Sequence, residues 1–90
     1  MSRYNLDLST NRFTIQIDTN GKYGWFEDKI YGDENGGGLW FDEDMKLKDY
    51  DGVYFLPDHV RNQLMRNNFI TQEFYENSSA SWLNYCLSWR

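Results

Sequence analysis

The sequence predicts an α+β fold: an antiparallel sheet of about 4–5 short strands followed by two helices packed on one face. Three observations predict it. Alternating and aromatic-rich runs, punctuated by Asn-Gly, Gly-rich and Asp-Gly stretches, fill residues 13–56. Helical spacing appears only after Pro57. Strands that come first and helices that come last call for helices laid on an antiparallel sheet.

The first folded element is the strand at Phe13, Ile15 and Ile17, which alternate with Thr14, Gln16 and Asp18. Asn20-Gly21 reads as a tight hairpin turn, because both residues accept positive φ. A second strand runs from about Lys22 to Tyr31, with Tyr23, Trp25, Phe26 and Ile30, and Gly24 marks a bulge or a close backbone approach. "GDENGGG" from Gly32 reads as a loop, since consecutive glycines favour neither helix nor strand. "LWFDED" is a short third strand with Leu39 and Phe41 on one face and Trp40 on the other. "MKLKDYDG" is a fourth, with Met45 and Leu47 inward and Asp51-Gly52 as a second hairpin turn, and "VYFLP" is a fifth.

Pro57 suits a first helical position and Asp58 favours that end of the dipole. Val60, Leu64 and Met65 form the apolar stripe of a helix over about 57–67, which Asn67-Asn68 ends. "FITQEF" fits either a sixth strand or an extended link. Ser78, Ser79 and Ser81 are candidate caps for a second helix over about 79–89, whose stripe is Trp82, Tyr85, Cys86 and Trp89. With the helices on one sheet face, outward aromatics, Trp40 and Tyr54 in particular, are left partly exposed.

Ninety residues make one domain, 1–90, with 1–10 as a loose arm. Six Phe, seven Tyr and four Trp supply a core without metal or disulfide, and one Cys excludes an internal disulfide framework. No signal peptide or apolar run of membrane length is visible, so a cytoplasmic protein is expected. The net charge of -5 disfavours direct nucleic-acid binding and anionic membranes. It is unevenly spread. Asp33, Glu34, Asp42, Glu43, Asp44, Asp49 and Asp51 face only Lys46 and Lys48, so the whole net charge lies between residues 33 and 51. Acidic turns of this kind are commonly just solvated, and their sharper use is to meet a basic partner.

The catalytic and ligand-binding readings fare poorly. Counted from Asp33, a calcium loop has Asn35 at the third position and Gly38 at the sixth, but glycine at the fifth and Asp44 where a bidentate Glu belongs. The glycine run lacks the Lys-Ser/Thr of a phosphate cradle. His59 and Cys86 are the only residues of their types, and nothing in their spacing pairs them. No catalytic residue, cofactor or metal ligand is assigned. Trp40, set between the glycines and Asp42-Glu43-Asp44, has the make-up of a binding anchor with a charged rim.

In size, acidity and lack of catalytic groups the chain resembles small phage and mobile-element inhibitors of host defence, anti-CRISPR proteins among them. The resemblance is one of composition and covers no motif. It implies a non-catalytic inhibitor and nucleic-acid mimic that binds a protein partner with a basic surface, such as a CRISPR effector complex. Asp33, Glu34, Trp40, Asp42, Glu43, Asp44, Asp49 and Asp51 are its expected contacts. An immunity or antitoxin protein, or an oligomeric interaction module such as a homodimer, is equally compatible with this composition.

Overall fold

The computed structural model describes residues 4–53 and 55–78, and at 33–35 the backbone alone. It contains β1 (Leu6–Asp7), β2 (Phe13–Asp18), β3 (Tyr23–Asp28), β4 (Gly32–Phe41), β5 (Leu47–Tyr50), α1 (Asp58–Arg66) and α2 (Gln72–Asn77). The strands form one antiparallel meander in the order β1-β2-β3-β4-β5, and the helices follow it, an α+β fold. Phe13, Ile15 and Ile17 of β2, Phe26, Leu39, Phe41 and Leu47 cover one sheet face, and Leu56, Val60, Leu64 and Ile70 close over them. Each such buried side chain contributes about 1.5–3 kcal/mol, so this layer dominates the stability.

Several boundaries differ from those expected. The glycine run is strand, not loop: "GDENGGG" opens β4. Its glycines serve a backbone crossing, since a Cβ on Gly37 would lie 1.7 Å from the Asp51 carbonyl oxygen, and one on Gly52 2.3 Å from that of Gly36. Only bare backbone allows this approach. Asp51 donates its N–H to the Gly38 carbonyl at 3.2 Å, and Gly38 returns its own to Asp51 Oδ1 at 2.9 Å. Asp51-Gly52 is therefore a crossing, with Gly52 at φ +87°, and residues 53 and 55–57 form no strand.

Asp28, not Tyr31, ends β3. Its carboxylate accepts the N–H groups of Ile30 (2.7 Å) and Tyr31 (3.2 Å), and Gly32 turns at φ 65°. Ile30 is thus a turn residue, 68% exposed. β2 and β3 are joined by residues 19–22, longer than the two-residue turn expected. Asp18 Oδ1 accepts the N–H groups of Asn20 and Gly21, and the left-handed residue is Lys22, φ 58°. "LWFDED" supplies only the end of β4, and β5 begins at Leu47 because Met45, at φ 59°, belongs to the turn.

The N-terminal arm is not loose throughout. Leu6 and Asp7 pair with Ile17 and Gln16, and Asn5 exchanges hydrogen bonds with Thr19. α1 starts at Asp58, one residue later than expected, and Asn68 takes the left-handed conformation beyond its end. "FITQEF" forms no strand: residues 69–71 lie in the link between the two helices, and Thr71 Oγ1 accepts the Phe74 N–H at 3.1 Å and starts α2. Ser78 ends α2, its N–H bonded to the Phe74 carbonyl. The helix expected over 79–89, with Trp82, Tyr85, Cys86 and Trp89, lies outside the described residues, as does Tyr54.

Candidate functional site

The sheet has a second face. Directly paired residues share a face, so the register places Asp18, Tyr23, Trp40 and Asp49 in one row across β2 to β5, on the side away from the core. The adjacent row holds Asp7, Gln16, Trp25 and Gly38. Trp40 is 40% exposed, and Tyr23 and Trp25 are half-buried. Gly38, two residues before Trp40 on the same face, leaves room for the indole: a Cβ there would stand 2.6 Å from the ring. Tyr4 meets Tyr23 and Trp25 edge-on, with centroids at 5.7 and 6.3 Å. Four aromatic rings therefore line this face.

Acids surround them. Asp49 faces Trp40 across β4 and β5 and is exposed, with one oxygen accepting the Tyr50 N–H at 2.9 Å. Asp18 sits behind Tyr23, nearly buried, with Oδ1 occupied by the turn. Beyond the end of β4, Glu43 and Asp44 stand exposed in the turn, without a side-chain partner among the described residues. Asp42 in the same turn is already engaged: its Oδ1 accepts the N–H groups of Asp44 (2.9 Å) and Lys46 (3.0 Å). Reversing Asp42 to lysine would thus break the turn as well as the charge. Lys46 is drawn away from these acids, its Nζ donating to the Asn68 carbonyl at the end of α1. Asp51 is held by Gly38.

The eight expected contacts are therefore split. Trp40, Glu43, Asp44 and Asp49 gather at one end of β4, while Asp42 and Asp51 hold backbone there. Asp33 and Glu34 begin the same strand, about 20 Å away at ~3.3 Å per residue. Tyr4, Tyr23 and Trp25 join the face although no motif marks them. Period-two parity was the available signal for Tyr23 and Trp25, but the adjacent Trp25-Phe26 obscured it.

Two other polar constellations lie away from this face. Arg12 donates to both oxygens of the buried Asp28 at 3.0 and 3.1 Å and lies 5.4 Å over the Tyr31 ring. The Arg12 hydrogen bonds, helped by the Ile30 and Tyr31 N–H groups, outweigh burial and lower the Asp28 carboxyl to about 2. Each of its partners fixes the β3–β4 turn, so the role is structural. A shallow polar cleft of about 220 Å³ on α1 is lined by Thr10, Asp58, His59, Asn62, Gln63 and Arg66. Its groups are committed locally: Gln63 donates to the Leu8 carbonyl, Arg66 to Gln63, and Tyr75 to Asn62. Cys86 lies outside the described residues, and among those residues His59 meets the Phe13 ring, with centroids at 5.7 Å. Among the described residues no three His, Cys, Asp or Glu side chains converge as metal ligands, and no helix is long and apolar enough to cross a membrane.

No protein-family model matches this chain, and no curated protein or solved structure matches it either.

Proposed function

We propose that this is a non-catalytic binding protein that captures a partner with a basic surface through the outer sheet face. Trp40 is the anchor, and Asp49, Glu43 and Asp44 form the charged rim. The observation that carries this reading is the exposed Trp40, paired with Asp49 and free of any base in its row. Aromatic side chains ringed by polar groups are the usual high-energy contacts of protein interfaces. Carboxylates on a rigid sheet meet lysine and arginine with little ordering cost, and such encounters are fast and salt-sensitive.

The partner we propose is a nucleic-acid-handling host-defence complex of the CRISPR effector kind. Its basic groove, built for phosphates, would accept these acids in their place, so the protein would inhibit by occupying that groove in the host cytoplasm. The test is capture from host lysate by the tagged protein, at low and then high salt, with bound chains identified by mass spectrometry. The reading expects a stoichiometric basic complex that salt releases and that a folded Glu43→Lys/Asp44→Lys variant loses. An empty lane, with the protein running as a stable dimer, would count for self-assembly instead.

A further inference from the structure

The outer face is more acidic than its sequence neighbourhood suggests. Outward positions of the strands bring Asp7, Asp18 and Glu27 from the electrically neutral part of the chain onto the same face as Asp49. No lysine or arginine occupies a paired outward position on that face, although Lys48 stands exposed in the β5 bulge next to Asp49, one base against four acids. Both helices lie on the opposite side, and while Tyr4 packs on Tyr23 and Trp25, Trp40 stays 40% exposed. A neutral or acidic occupant would leave this charge uncompensated, and a cationic one complements it.

Resting on the reading above, we propose that the Trp40–Asp49 pair takes an arginine side chain of the partner, its guanidinium flat on the indole and its N–H groups on the carboxylate. Cross-strand neighbours stand about 4.5–5.5 Å apart at Cβ, which sets ring and carboxylate side by side. A planar guanidinium can stack and donate at once, whereas an ammonium group is a compact, strongly hydrated point charge. The carboxylate keeps acceptor capacity, since its one described bond is to the Tyr50 N–H. The same chemistry is used twice within the chain. Arg12 lies over Tyr31 while donating to Asp28, and Arg61 lies 4.5 Å over Tyr75 while donating to Asp58. On the outer face the ring and the acid are present and the arginine is not.

The experiment follows the tryptophan indole N–H signals of the full chain by NMR, assigned by single Trp→Phe substitutions. Three otherwise identical Gly/Ser-spaced peptides are titrated, bearing arginine, lysine or the neutral arginine isostere citrulline. The arginine peptide should shift the Trp40 signal and, less, that of Trp25. The lysine peptide should bind about tenfold more weakly, and the citrulline peptide should not bind. Trp40→Ala and Asp49→Asn, checked for unchanged melting, should each weaken the arginine peptide by about tenfold. Equal binding of arginine and lysine, or insensitivity to both variants, overturns the assignment. So does movement of the Trp40 signal on Trp82→Ala or Trp89→Ala without peptide, because the chain's own C-terminal segment would then occupy the face. The two readings fail separately. Salt-released lysate capture that Trp40→Ala and Glu43→Lys/Asp44→Lys abolish, without arginine-selective shifts of the Trp40 signal, defeats the arginine site and spares the proposed function. Arginine-selective shifts with no partner in the lysate do the reverse.

Discussion

Gly37→Ala tests the fold where it departs most from a local reading of the sequence. In a flexible loop this substitution would stabilise the protein by about 0.4–1 kcal/mol, by narrowing the unfolded ensemble. In the structure the added methyl lands 1.7 Å from the Asp51 carbonyl oxygen, which is backbone. Carbon and oxygen normally approach to about 3.3 Å, so the crossing segment must withdraw by about 1.5 Å. That withdrawal breaks the Gly38 N–H to Asp51 Oδ1 bond and the Asp51 N–H to Gly38 carbonyl bond. Two hydrogen bonds at about 1 kcal/mol each, with about 1–3 kcal/mol of overpacking, give a loss of about 3–5 kcal/mol. A domain of this size has about 5–13 kcal/mol in total, so the melting temperature should fall by about 15 °C or more. Urea unfolding followed by tryptophan fluorescence measures it. Gly38→Ala is the companion, because its methyl meets the Trp40 ring and an exposed ring can swing aside at about 1 kcal/mol. A Gly37→Ala variant as stable as the parent, or more so, would refute the crossing.

Further predictions concern the core, the ion pair and the second helix. Phe26→Ala should cost about 3–5 kcal/mol in the same urea assay, while Trp40→Ala on the opposite face should cost far less and abolish partner capture. Asp28 has a folded pKa of about 2, below the ordinary 3.8, so its contribution is complete above pH 4 and is lost as pH falls through 2. An Asp28→Asn variant should be less stable at neutral pH and show a shallower loss between pH 4 and 2 by thermal melting. Thr71→Ala removes the acceptor for the Phe74 N–H and should cost about 1 kcal/mol, with faster amide exchange confined to α2.

What the sequence determined by itself was whatever depends on near neighbours along the chain. Alternation at Phe13, Ile15 and Ile17 set β2 and its buried face. The Val60 and Leu64 spacing set α1, and parity at Leu39, Trp40 and Phe41 set which way the tryptophan points. The clustering of charge between residues 33 and 51 was legible too. The tertiary structure decided what depends on contacts between distant residues. Glycine is a poor strand former by propensity, and Gly37 and Gly38 belong to β4 because Phe26 and Trp25 pair with them, while Asp51 and Gly52 cross closely over Gly36 and Gly37, contacts that no local window contains. "FITQEF" resolves as a helix start only when Thr71 reaches Phe74 and Phe69 is held by the Leu64 carbonyl. Asp42 and Asp51 look like Glu43 and Asp44 in sequence, but hydrogen bonds to backbone commit the first two and leave the others to solvent. Strand register, which depends on every turn between the strands, then brings Asp7, Asp18 and Glu27 to the face that Trp40 and Asp49 share.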